Sequence, residues 1–124
     1  EIGGSGFSAV LRDYGRLGQF ILEDGVINGE RVLPEGWVLE ASTPKVLIGG
    51  RPLDYGYLWW TGTSESDRGD SAFSGEGIHG QFLYINPALN IVIVVWSARP
   101  QPSGGVAIDE WAFFGAVSEA LRAR

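Results

Sequence analysis

The run Ile91-Val92-Ile93-Val94-Val95 constrains this chain more than any other stretch, because five β-branched residues in succession carry no polar alternation. Such a run favours a strand, and a strand that is apolar at every position must be covered on both faces. A sheet with layers on both sides is therefore expected. The run extends only to Trp96 before a polar residue, far short of the ~20 residues that cross a bilayer, so no membrane partner is expected. Gln81 to Asn86 forms a second β run, and Pro87-Ala88-Leu89-Asn90 between the two has hairpin length.

Phe7, Val10, Leu11, Tyr14, Leu17 and Ile21 recur at three- and four-residue spacing after a flexible Gly3-Gly4-Ser5-Gly6 opening. This is one face of an amphipathic helix, with Ser8 or Ser5 as N-cap and Gly25 as a left-handed stop. Asn28-Gly29 between Val26-Ile27 and Val32-Leu33 predicts a small tight hairpin. Pro34 opens a short helix through Ala41, which Pro44 ends. Tyr55 to Thr61 reads as an aromatic strand, Gly62 to Asp70 as a polar loop and Ser71 to Ser74 as another strand. A last helix carries Ile108, Trp111, Phe114, Val117 and Leu121, with Asp109 and Glu110 at the positive end of its dipole. Asp13, Asp24, Asp70 and Asp109 read as caps and solvated charges.

A chain of 124 residues holds one domain at most, and 44% hydrophobic with 19% charged residues is the balance of a packed core. The net charge of −6, without a Lys/Arg cluster, would repel a phosphate backbone, so no nucleic-acid partner is expected. Zero cysteines and one histidine leave no disulfide framework, thiolate metal site or multi-histidine cage. No metal or cofactor is implied. The chain starts at Glu1 and contains no Met, so its natural start is expected upstream, where a leader would also lie; the compartment stays open.

The densest chemical candidate is Ser74-Gly75-Glu76-Gly77-Ile78-His79-Gly80-Gln81, directly before a strong strand. Its glycines let a backbone run close to a ligand, or they simply make a Gly-rich β turn. His79 is read either as a base or as a capping histidine. Trp59 and Trp60 alternate faces, so one packs in the core and Trp60 is the choice for lining a cleft. No pair of carboxylates has the spacing of an acid/base dyad or a calcium loop.

Gly3-Gly4-Ser5-Gly6-Phe7-Ser8, Leu11-Arg12-Asp13-Tyr14, Leu17-Gly18-Gln19-Phe20, Asp24-Gly25, Tyr55-Gly56-Tyr57-Leu58-Trp59-Trp60 and Gly77 to Pro87, in this order, resemble the C-terminal third of class C β-lactamase-like serine hydrolases. Within that family the resemblance is to the branch that hydrolyses 6-aminohexanoate dimers and esters. It implies an α+β fold, an antiparallel sheet flanked by helices, with residues 1–124 as one partial domain. It also implies an acyl-enzyme mechanism on a small-molecule amide or ester, without a cofactor. The Ser-x-x-Lys nucleophile and Tyr-x-Asn motif of the family would lie upstream, in the missing N-terminal part of the same protein. Its third motif would fall on Gly75-Glu76-Gly77 without the usual cation, and the Ile78 N–H after Gly77 would stand in the oxyanion hole. Gly75, Glu76, His79 and Trp60 would face substrate, with Glu76 repelling the carboxylate of a β-lactam.

Ser42-Thr43-Pro44-Lys45 also spells Ser-x-x-Lys, but Pro44 breaks the helical turn that would set serine and lysine on one face. Tyr84-Ile85-Asn86 spells Tyr-x-Asn, yet it sits in a strand running into Pro87. Two rival readings are a self-contained Ser-His-Asp hydrolase using His79 and a Trp-rich binding module without catalysis. The chain alone is expected to be inactive and to self-associate through uncovered apolar surface and strand edges.

Overall fold

The computed structural model describes residues 6–104 and 108–123. The Gly3-Gly4-Ser5 opening and the Ser5 cap lie outside those residues. In chain order the elements are α1 (Leu11–Leu22), β1 (Val26–Ile27), β2 (Glu30–Arg31), α2 (Trp37–Ser42), β3 (Lys45–Val46), β4 (Pro52–Leu53), β5 (Trp60–Thr61), α3 (Glu65–Asp70), β6 (Phe73–Gly77), β7 (Gln81–Asn86), β8 (Ile91–Val95) and α4 (Glu110–Arg122). The last four strands form one antiparallel sheet in the order β5-β6-β7-β8, and β1-β2 and β3-β4 are separate two-stranded pairs. This is an α+β fold.

The all-apolar β8 is covered on both faces, as its composition requires. On one side Val92 and Val94 join Phe73, Leu83 and Ile85 under Leu17 and Ile21 of α1, with Trp59 packed alongside. On the other, Ile91, Ile93 and Val95 join Ala72, Tyr84 and Phe114, with Trp111 beside them. Residues alternate between these two layers along each strand. Helix α1 sits so close to the sheet that a Cβ on Gly18 would lie 2.4 Å from Val92 Cγ1 and 2.9 Å from Leu83 Cδ1.

Several sequence expectations shift. Helix α1 starts at Leu11 behind Val10, which offers no side-chain cap, so Ser8 does not cap it. The helix stops through left-handed Asp24 and Gly25, with Gly25 N–H donating to Phe20 O at 2.9 Å. The Asn28-Gly29 turn forms, both residues at positive φ, but the returning strand is Glu30–Arg31 and not Val32-Leu33. A two-residue loop pairs the residues that flank it immediately. Helix α2 begins at Trp37 after left-handed Gly36, and Thr43 turns extended before Pro44. Only Trp60–Thr61 of the aromatic segment is strand, because Leu58 takes φ 66° and Tyr55 bends back to bridge Trp60.

The polar stretch read as a loop contains helix α3. Ser64 caps it by accepting from Asp67 N–H at 3.0 Å, and its hydroxyl donates to Asp67 Oδ2 at 2.5 Å. Ser71 is the left-handed C-cap, so β6 begins at Phe73. Helix α4 presents Trp111, Phe114, Ser118 and Arg122 inward, whereas Ile108 precedes the helix and Leu121 is exposed.

That rotation completes a polar network. Asp70 Oδ2 accepts from Asn86 Nδ2 at 2.8 Å and from Arg122 Nη2 at 2.5 Å. Asn86 also reaches the Tyr84 hydroxyl, which lies 3.4 Å from both Asp67 Oδ1 and Ser118 Oγ. Asp70 is thus a buried strut, and Tyr84 and Asn86 of the accidental Tyr-x-Asn are fully buried structural residues. The Asn86 hydrogen bond, with Arg122, lowers the Asp70 pKa below its ordinary value, while burial raises that of Tyr84. A carboxylate lowered in the folded state stabilises the fold above its unfolded pKa and loses that contribution as pH falls through the folded value. Asp70→Ala should therefore cost about 1–3 kcal/mol at neutral pH by removing the charged acceptor shared by buried Asn86 and by Arg122. Urea denaturation should show this gap closing below about pH 4; a gap independent of pH would refute the assignment.

Candidate active site

The candidate segment spans the end of β6 and the turn into β7. Trp60 pairs with Ser74 and Thr61 with Phe73, and β5 goes no further along β6. Gly75, Glu76 and Gly77 pair with Leu83, Phe82 and Gln81 of β7. Among the described residues, their other side is an open strand edge. Backbone groups at such an edge are available to an extended ligand or another strand.

Side-chain alternation divides the predicted residues between the two faces. Gly75 and Gly77 face the α1 layer: a Cβ on Gly75 would touch the Trp59 ring at 3.4 Å, and one on Gly77 would meet Gln81 Oε1 at 2.6 Å. Glu76 points the other way. Its Oε1 accepts from Ser74 Oγ and Trp111 Nε1, both at 2.9 Å, tying β6 to α4. Strand alternation thus sends Glu76 to the layer opposite that of Gly75 and Gly77. Trp59 packs edge-on against Phe73 at 5.1 Å, and Trp60 lies exposed at the sheet edge against Tyr55 at 4.7 Å.

Ile78 opens the turn with 68% of its surface exposed. Its N–H takes no part in the turn's own hydrogen bonds, which run from Gly80 N–H to Gly77 O at 3.3 Å and from His79 N–H to Pro102 O at 3.0 Å. His79 and Gly80 both have positive φ, 66° and 86°. For a non-glycine residue this conformation costs on the order of 1–3 kcal/mol and persists only when the surroundings over-determine it. Here they do. Arg99 N–H donates to His79 O at 3.0 Å, and His79 Nδ1 lies 2.6 Å from Arg99 O. Because a carbonyl only accepts, Nδ1 carries the proton.

His79 therefore orients against a backbone carbonyl and not a carboxylate, which removes the geometry of a Ser-His-Asp triad. The accidental Ser42-x-x-Lys45 is equally dispersed. Ser42 Oγ donates to Val38 O at 2.9 Å at the end of α2, and Lys45 sits in β3 with Nζ on Glu40 O at 2.7 Å. The described residues hold no group of three or more His, Cys, Asp or Glu side chains arranged to bind a metal.

Comparison with known proteins places this architecture. The Beta-lactamase family profile matches residues 2–116. A curated relative, the 6-aminohexanoate-dimer hydrolase of Paenarthrobacter ureafaciens, is 38% identical over 106 residues, covering 78% of this chain and 26% of the relative. A solved structure from Bacillus anthracis, provisionally named a 6-aminohexanoate-dimer hydrolase, superimposes with a TM-score of 0.76 at 28% identity, over 93% of this chain and 30% of that one. The chain thus spans between a quarter and a third of the length of these relatives.

Proposed function

The chain belongs to the beta-lactamase family, and we propose that it forms the C-terminal part of a serine hydrolase that cleaves amide or ester bonds through an acyl-enzyme. In this reading the upstream part of the same protein brings the nucleophilic serine and its lysine to the open edge of β6. The serine attacks the substrate carbonyl, and the Ile78 N–H donates to the oxygen that becomes negative. The observation that carries the reading is the edge of β6, unpaired among the described residues beyond Ser74, followed directly by the exposed residue Ile78, whose N–H is free of the turn's hydrogen bonds.

The substrate side of the reading rests on less charge than the sequence suggested. Glu76 is held on the α4 side of the sheet by Ser74 and Trp111, so its charge is turned away from the face that Gly75 and Gly77 present. What remains is the absence of a cation at Gly75, where a β-lactam carboxylate would otherwise find a charge-assisted partner. Arg68, the arginine or lysine nearest to Gly75 in the sequence, lies beside Asp54 at 3.6 Å. Neutral esters, and amides whose group nearest to this position is an amine, are the preferred class.

The test is a chimera in which these residues replace the matching stretch of the Paenarthrobacter hydrolase. It should turn over a short neutral ester and the 6-aminohexanoate dimer with kcat/KM above that for a cephalosporin. A folded chimera that hydrolyses neither would refute the functional reading, and one that favours the cephalosporin would refute the substrate class.

A further inference from the structure

We infer that the Arg99–Glu110 ion pair is a positioning latch that holds the Ile78-His79-Gly80 turn, and that Arg99 sets the turnover rate through Ile78 without touching substrate. The inference rests on the reading of Ile78 as an oxyanion donor. Three hydrogen bonds join the turn to the loop over residues 99–102: His79 N–H to Pro102 O, Arg99 N–H to His79 O, and His79 Nδ1 to Arg99 O. Each involves His79, the residue directly after Ile78. The Ile78–His79 peptide therefore cannot rotate unless the 99–102 loop moves with it. Because Gly77 is paired with Gln81 on the other side, the Gly77–Ile78 peptide that carries the donor N–H is held between two fixed points.

That loop is itself anchored by a side chain. The Arg99 guanidinium pairs with Glu110, which is buried in the first turn of α4. On its way there it lies against the backbone of Gly80, so closely that a Cβ at that position would fall 2.6 Å from Arg99 Nε. Arg99 thus holds the turn from two sides, through its backbone on His79 and through its side chain over Gly80. Glu110 supplies the fixed point, since α4 is packed on the sheet through Trp111 and Phe114. The same helix holds Glu76 through Trp111, so both ends of the Gly75–Gly80 segment are referenced to α4. A donor aimed at a developing charge works only if its direction is fixed beforehand, and small misplacements cost large factors in rate.

The experiment uses Arg99→Met, Arg99→Lys and Glu110→Gln. In the chimeric hydrolase, Arg99→Met and Glu110→Gln should each lower kcat about tenfold with KM within about twofold, and Arg99→Lys should recover much of the loss. In this 124-residue chain, deuterium exchange at the His79 amide should speed up about tenfold in Arg99→Met, while amides of β7 and β8 keep their protection. Normal kcat in a folded Arg99→Met or Glu110→Gln variant, in a chimera where Ile78→Pro abolishes turnover, overturns the latch and leaves the donor reading standing. Unchanged His79 exchange overturns it as well. If Ile78→Pro itself leaves kcat intact, the donor reading fails and the latch falls with it. Should Arg99→Met fail to fold, Glu110→Gln and Arg99→Lys still decide the matter through the split between kcat and KM.

Discussion

Replacing Ile78 by proline in the chimeric hydrolase should lower kcat about 100-fold or more, the loss that follows removal of one oxyanion donor. The substitution is unusually clean at this position. Ile78 is 68% exposed, so little packing is lost, and its N–H holds no bond within the turn. Proline also restricts the preceding residue to extended backbone, and Gly77 already ends a strand. Ile78→Val keeps the N–H and should stay near the parent rate. A folded proline variant with near-parent kcat would show that the transition state draws nothing from this amide.

The second large effect concerns the chain by itself. Acyl transfer needs a serine beside a base, and no described serine is hydrogen-bonded to His79 or to Lys45, the only lysine of the sequence. Ser42 donates to Val38 O, Ser64 to Asp67, Ser66 to Glu119 and Ser74 to Glu76. Lys45 is spent on Glu40 O, and His79 on Arg99 O. Turnover of a p-nitrophenyl ester by residues 1–124 alone should therefore fall on the order of 10⁶-fold below the chimera, the size of effect seen when a nucleophile is removed. Purified chain that hydrolyses the ester and is stopped by a serine-directed inhibitor would contradict this.

Elements whose signal is local were legible in the sequence. The unbroken β-branched run gave β8 and its two covering layers, the apolar spacing gave α1 and α4, and Asn28-Gly29 gave the first hairpin. The features that sequence spacing missed depend on partners far along the chain. Helix α3 looks polar because its buried carboxylates, Asp67 and Asp70, are satisfied by Tyr84, Asn86 and Arg122. Only the N-cap residue Ser64, with Asp67 in the first turn, announced it locally. Along α4 the apolar spacing finds Trp111 and Phe114 of the core, but not Ser118 and Arg122, which turn to that network while Leu121 is exposed. The pair β3-β4 consists of two-residue strands around Gly49-Gly50, too short for any period to register.

At the site, the sequence located the segment but not the directions of its side chains. Period-two alternation separates Glu76 from Gly75 and Gly77, and only the position of Trp111 tells which face is which. Arg99 sits in a Pro/Gly loop with no motif around it, and its role becomes visible only beside His79, Gly80 and Glu110.

Labelling the chimera with a fluorophosphonate and mapping the modified serine tests where the nucleophile resides. The modified residue should lie outside residues 1–124, in the part contributed by the Paenarthrobacter enzyme, and this chain alone should take up no label. Modification of any serine within residues 1–124, in either protein, would contradict the assignment of this chain as the wall that carries the oxyanion donor.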